Sequence, residues 1–207
     1  MWNDLVKRYP HLASCEADVN GALEILIDSY RKGGKLLLCG NGGSASDCEH
    51  IVGELMKDFL IKRPITEDKR AQMTTLSPTL SADTLDSLQL GLPAISLTSI
   101  SAFNTAFAND RNPELVYAQG VLSLGREGDV LLAISTSGNA KNVLRAVEVA
   151  KGLGLTVVGL TGESGGAIRP LCDVCIRVPQ KETYKVQELH LPVYHYLCAA
   201  TEKHFFG

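Results

Sequence analysis

No apolar stretch in the 207 residues is long enough to cross a bilayer, so no membrane-spanning helix is expected. The start, Met1-Trp2-Asn3-Asp4-Leu5-Val6-Lys7-Arg8, lacks the long apolar core of a secretory leader, and none is expected. Basic runs and blocks of like charge are missing and the net charge is -3, which leaves no electrostatic footprint for nucleic acid or an anionic membrane. No Gly-Lys-Ser/Thr follows a glycine-rich turn, which argues against a nucleotide P-loop, and the dinucleotide fingerprint fits poorly. The six cysteines are scattered, and they read as free thiols of a reducing cytoplasm. Cys172-Asp173-Val174-Cys175 matches C-x-x-C, yet no second Cys or His pair follows at zinc-ribbon spacing, so it reads as structural. The lone Trp2 carries no signal of its own.

What the chain does have is 45% hydrophobic and 21% charged residues, the balance of one folded domain over residues 1–207. Short Val-, Ile- and Leu-rich runs alternate with amphipathic segments. Strands are expected at Lys35–Cys39, Leu92–Thr98, Val130–Ile134, Thr156–Leu160 and Val174–Val178. Helices are expected at Glu16–Arg31, about Ser44–Phe59, Ser101–Asn109, Pro113–Leu124 and Lys141–Lys151, with a last one within Val186–Phe205. Continuous apolar strands between helices mean a parallel sheet covered on both faces, an α/β fold. The pattern weakens from Ile61 to Gly91, and about 66–90 reads as an insertion or long loop.

The most informative stretch is Leu36-Leu37-Leu38-Cys39-Gly40-Asn41-Gly42-Gly43-Ser44. A strand runs into a glycine turn and then a helix start, where backbone N–H groups lack partners and the helix dipole favours an anion. Ser135-Thr136-Ser137-Gly138-Asn139 repeats the arrangement after another strand. Two such loops converge at the carboxyl edge of an open sheet. Their hydroxyls can donate to phosphate oxygens without adding charge, which favours a phosphorylated small molecule over a nucleotide. The helix after the first loop carries His50 and Glu54, four apart and on one face. Such a pair on a surface helix is often incidental. Near the C-terminus Gln187, Glu188, His190 and His195 add to it, and two His with a carboxylate could bind zinc.

Taken in order, these segments resemble the phosphoheptose isomerases of the sugar isomerase (SIS) superfamily. The matching pieces are Cys39–Ser44, His50 with Glu54-Leu55, Arg63-Pro64, Pro93-Ala94-Ile95, Asn109-Asp110 and Arg126–Val130. Ser135–Asn139, Leu160-Thr161-Gly162, Ile176–Pro179, and Gln187-Glu188 through His190 to His195 complete the series. The resemblance implies a flavodoxin-like three-layer sandwich with a five-stranded parallel sheet, a single SIS domain. It implies a homotetramer with active sites between subunits. The implied activity is aldose–ketose isomerisation of sedoheptulose 7-phosphate to D-glycero-D-manno-heptose 7-phosphate. The implied zinc ligands are His50, Glu54, Gln187 and His195, with Glu54 as base and His195 as acid. The implied substrate contacts are Asn41, Gly42, Gly43, Ser44, Glu54, Asn109, Asp110, Ser135, Thr136, Ser137 and Gln187.

Three departures from the family pattern bear on the sugar. Ala140 stands where a Ser is usual, Asp58 where an Arg is usual, and the 66–90 stretch is extra. They keep an SIS isomerase for another phosphosugar open, beside a non-catalytic phosphosugar-binding or regulatory SIS protein. Gln187 and His195 are eight residues apart, about 12 Å along a straight helix. Pro192 between them is expected to mark a helix start, with Gln187 before it or at a loosened entrance.

Overall fold

The computed structural model describes all residues, 1–207. Five parallel strands form its sheet: β1 (Leu36–Cys39), β2 (Ala94–Ser96), β3 (Val130–Ser135), β4 (Thr156–Thr161) and β5 (Val174–Arg177). They lie in the order β2-β1-β3-β4-β5. Register is set by pairs such as Leu36 with Val130 and Val130 with Thr156. All five expected strands are present; β1, β2 and β5 are shorter than expected, and β3 and β4 each run one residue longer. Leu92–Thr98 contracts most, because Pro93 flanks its start and a 3-10 turn takes over at Leu97–Ser99.

The helices are α1 (Trp2–Arg8), α2 (Glu16–Arg31), α3 (Gly43–Met56), α4 (Glu67–Leu76), α5 (Ala82–Ser87), α6 (Ser101–Asp110), α7 (Val116–Leu124), α8 (Lys141–Gly152) and α9 (Thr183–Phe206). Successive strand side chains point to opposite faces. Leu36 and Leu38 therefore join Val19, Ile51, Val193 and Leu197 on one side. Leu37 and Cys39 join Val121, Val143 and Val147 on the other. The result is three layers, with α1, α2, α3 and α9 against one face and α7 and α8 against the other.

Three expectations change. Trp2 is not idle: it is buried and meets Tyr196 edge to face at 5.2 Å, so α1 docks on the last helix. The 66–90 stretch holds two helices, α4 and α5, started by Thr66 and Ser81 side chains accepting from Lys69 N–H and Thr84 N–H. It leaves and rejoins the fold at one point, where Pro64 bridges Gln89 and Leu90 N–H donates to the Arg63 carbonyl. Lastly, Pro192 lies inside α9 and does not start it. Gln187 is the fifth residue of that continuous helix. The helix begins at Thr183, well before the proline, because Val186, His190, Val193 and Tyr194 already form one buried stripe that needs the earlier turns.

Candidate active site

Strands β1 and β3 are neighbours, and the chain turns outward to β2 from one and to β4 from the other. This is the switch point of an open α/β sheet, where a crevice opens at the carboxyl edge. Both glycine-containing loops stand there. They are tied together: Asn41 Nδ2 donates to Asn142 Oδ1 at 2.8 Å, and Asn142 Nδ2 donates back to Asn41 Oδ1 at 2.9 Å. Tyr117 Oη donates to the Gly40 carbonyl at 2.7 Å and steadies the first loop from below. Neither following helix has a side-chain cap, since Gly42 precedes α3 and Ala140 precedes α8. Ser44 and Ala45 N–H are already taken by the Asn41 and Gly42 carbonyls and Val143 N–H by Asn142 Oδ1, which leaves the N–H groups of Gly43, Lys141 and Asn142 for a ligand.

Glycine is required at position 138, and at position 43 it lets a side chain of α9 come close. A Cβ on Gly43 would stand 2.5 Å from Gln187 Nε2, so the loop and α9 meet through that bare position. Gly138 has φ +66°, and a Cβ on it would lie 2.0 Å from the Gly165 carbonyl oxygen. Ser44 and Ser135 are buried beneath the loops, and Thr136 and Ser137 are more open. Ser137 Oγ accepts from Asn139 N–H at 3.2 Å, which shapes the second loop.

Helices α3 and α9 lie side by side and run the same way. Gly43 meets Gln187 at one end, and His50 meets Tyr194 and His195 farther along. His50 Nε2 lies 3.2 Å from Glu54 Oε1 and 3.4 Å from His195 Nε2. Glu54 Oε2 is buried with no hydrogen-bond partner, and Lys57 Nζ stands 3.7 Å away. A carboxylate oxygen without a donor keeps its lone pairs for a proton or a cation. Burial lowers the His195 pKa from the ordinary value; nearby His50 lowers it further and Glu54 opposes both.

The donor types, two imidazole nitrogens and a carboxylate, are those zinc takes. Bonds of about 2.0–2.2 Å in a tetrahedron set neighbouring donors roughly 3.3–3.6 Å apart. The pairs at 3.2 and 3.4 Å are close to that spacing. No group of three or more His, Cys, Asp or Glu side chains is preassembled around one point, so a cation would have to draw the set together.

The structure thus joins His50, Glu54 and His195, and it joins Asn41, Gly42, Gly43 and Ser44 to the second loop. Gln187 belongs to the loop end, against Gly43. Asn109 and Asp110 sit exposed at the end of α6, where Asn109 Nδ2 donates to Asp110 Oδ1 at 2.9 Å, their only side-chain hydrogen bond. A cavity of about 350 Å³ opens beside His195, between α1, Phe59-Leu60 and α9. Its lining is mostly apolar and contains no residue of either glycine loop, which makes it a poor seat for a phosphate.

Sequence reading missed Asn142, Tyr117, Asp47 and Tyr194. Asp47 had a signal, one turn before His50 on the same face. Tyr194 had one too, beside His195, with a hydroxyl that a buried tyrosine must place. Tyr194 Oη lies 3.0 Å from His50 Nδ1, with the rings edge to face at 5.5 Å. His190, one turn beyond Gln187, is fully buried, and neither ring nitrogen has a hydrogen-bond partner.

Comparisons with known proteins agree with this arrangement. SIS domain models match residues 6–89 and 103–200. A phosphoheptose isomerase of Aneurinibacillus thermoaerophilus is 39% identical over 180 residues, covering 87% of this chain and 78% of that one. One from Burkholderia pseudomallei (strain K96243) is 40% identical over 191 residues, covering 92% and 84%. The solved phosphoheptose isomerase of Neisseria gonorrhoeae superposes with a TM-score of 0.76 at 30% identity, over 98% of this chain and 95% of that chain. With the sheet order, the paired loops and this degree of identity together, the chain belongs to the phosphoheptose isomerase family of SIS-domain proteins and is an aldose–ketose isomerase of phosphosugars.

Proposed function

We propose that the substrate is sedoheptulose 7-phosphate and the product D-glycero-D-manno-heptose 7-phosphate. The observation that carries this reading is the distance between two features of one seam. The anion cradle at Gly40–Ser44 and the acid–base group at His50, Glu54 and His195 lie one to three turns of α3 apart. A long phosphosugar fits such a span, with its phosphate at the loops and its C1–C2 end at Glu54.

Isomerisation moves a proton between C1 and C2 through an enediol. Glu54, with an unpartnered oxygen, removes the proton from C1 and returns it at C2. His195 handles the proton between the O1 and O2 oxygens, and its lowered pKa keeps it neutral and able to act both ways near pH 7. The hydroxyls of Ser135, Thr136 and Ser137, with Asn41, Gly42, Gly43 and Ser44, hold the phosphate end. Gln187, seated against Gly43, orients the sugar chain between the two ends. Asn109 and Asp110 contribute from the end of α6, which suits a site completed at a subunit contact in a homotetramer. Zinc held by His50, Glu54 and His195 would supply positive charge against the charge that develops on the sugar oxygens. The resemblance also puts Gln187 among the zinc ligands; its place against Gly43 favours the substrate role. Six free thiols suit a reducing cytoplasm, and the whole chain acts as one SIS unit.

The test is a comparison of kcat/KM for sedoheptulose 7-phosphate with that for pentulose and hexulose phosphates, using zinc-loaded and chelator-treated protein. The heptulose phosphate should be the best substrate, and chelation should remove most of the rate. A shorter sugar turned over faster would sink the heptose assignment, and a blank throughout would favour a binding role.

A further inference from the structure

One pair of side chains bridges the two glycine loops. Asn41 stands in the loop after β1, and Asn142 is the second residue of α8, just past the loop after β3. Their amides close a ring of two N–H···O bonds, at 2.8 and 2.9 Å. These are the only side-chain hydrogen bonds between residues 40–44 and 135–142. Val143 N–H donates to Asn142 Oδ1 at 3.0 Å, which fixes the oxygen of that amide. The ring then fixes the other amide, since a turned Asn41 would set nitrogen against nitrogen and oxygen against oxygen.

Each loop is also anchored on its outer side. Tyr117 Oη donates to the Gly40 carbonyl and lies 3.3 Å from Asn41 Oδ1. Asn139 Oδ1 accepts from Ala167 N–H at 2.9 Å. The amide pair is what ties the loops across the crevice. The backbone N–H groups left for an anion belong to Gly43 on one side and to Lys141 and Asn142 on the other. An anion held by both sets needs them at one spacing. Asn142 gives its backbone N–H to that set and its side chain to the spacing. Both amides are neutral, so the tie brings no charge to oppose a phosphate.

We propose that Asn142 is a positioning residue, whose reciprocal amide pair with Asn41 sets the distance between the two loops and so the seat of the substrate's phosphate. It rests on the proposed function only for that phosphate seat. Asn41 then serves the phosphate through the loop it holds, because its oxygen and one N–H are spent on Asn142. A grip on the phosphate is alike in the ground state and the transition state, so loosening it raises KM and spares kcat.

Asn142→Ala should raise KM for sedoheptulose 7-phosphate about 10-fold or more, with kcat within about twofold of wild type. Competitive inhibition by inorganic phosphate, which probes the seat whatever the sugar, should weaken by a similar factor. Asn41→Ala breaks the same pair from the other loop. The double variant should be no worse than the poorer single, as for two residues acting as one. An Asn142→Ala protein unchanged in KM, or one that loses kcat alone, would overturn the proposal. So would single effects that multiply in full in the double variant.

Side-chain amide NMR of nitrogen-labelled protein reads the pair without any ligand. Wild type should show one slowly exchanging proton on Asn41 Nδ2, and Asn142→Ala should release it. Should Asn142→Ala fold poorly, the Asn142 amide in Asn41→Ala gives the same reading. A freely exchanging Asn41 amide in wild type would overturn the tie even where the sugar is turned over. Wild type with the pair intact that binds neither phosphate nor sugar would defeat the proposed function, and the phosphate seat with it, so the two failures are distinguishable.

Discussion

Replacing Arg63 by Met should cost about 3–5 kcal/mol of folding stability and most of the activity. The Arg63 and Glu202 side chains are both 0% exposed. Arg63 Nε donates to Glu202 Oε1 at 2.8 Å, Nη1 to the Leu55 carbonyl at 2.7 Å and Nη2 to the Glu54 carbonyl at 3.2 Å. Glu202 also accepts from Phe59 N–H at 2.8 Å and Leu60 N–H at 2.7 Å. The guanidinium therefore caps the last turn of α3, which carries Glu54, and locks it to α9, which carries His195. Removing one partner of a buried pair leaves an uncompensated charge, a loss of about 3–5 kcal/mol. Against a total of about 5–15 kcal/mol, that is a large share. Urea unfolding followed by fluorescence and by activity gives the number. Arg63→Met with Glu202→Met should recover much of the loss, since an apolar replacement of both partners restores a neutral core. A single variant losing less than about 1 kcal/mol would refute the clamp. Burial pushes the Glu202 pKa up, but the bonds from Phe59, Leu60, Arg63 and Ile61 outweigh it and hold the carboxyl below its ordinary value. A lowered folded-state pKa gives stability that is present above the unfolded value near 4.5 and is lost as pH falls through the folded value.

His190 titrates in the opposite sense to a paired histidine: burial pushes its pKa down to about 4, against a smaller upward pull from the Thr161 backbone. The unfolded chain takes that proton near 6.5 and the folded chain does not, so stability should fall by about 3 kcal/mol between pH 6.5 and 4. His190→Leu should flatten that slope in pH-dependent denaturation. Gly138→Ala should distort the second loop, through its positive φ and the Gly165 carbonyl 2.0 Å from the new Cβ, and raise KM more than it lowers kcat. Gly43→Ala should push Gln187 aside and also raise KM, as steady-state kinetics would show.

Much of the fold was legible because it rests on local pattern. Runs such as Leu36–Cys39 and Val130–Ser135 are buried on both faces, so they read as parallel strands without knowledge of their neighbours. His50 and Glu54 were legible as a pair because a helix fixes their spacing. What failed depended on contacts distant in sequence. Trp2 finds Tyr196, and Tyr194 finds His50, across intervals that no periodicity reports. Pro192 misled for a different reason: its local preference for a helix start was overridden by the packing of Val186, His190, Val193 and Tyr194 along one helix. The 66–90 stretch hid two helices because α4 buries no residue and so shows no apolar stripe.

Glu54→Gln carries the most direct test of the account. It keeps the side chain's shape and removes only the group that takes the proton. Sedoheptulose 7-phosphate would be supplied to both proteins, with the aldose product followed by NMR and substrate binding measured alongside. The account predicts turnover by wild type and a kcat lower by about 10²–10⁴-fold in the variant, with binding retained. A variant within about tenfold of wild type would contradict Glu54 as the base, because general-base catalysis is worth more than that.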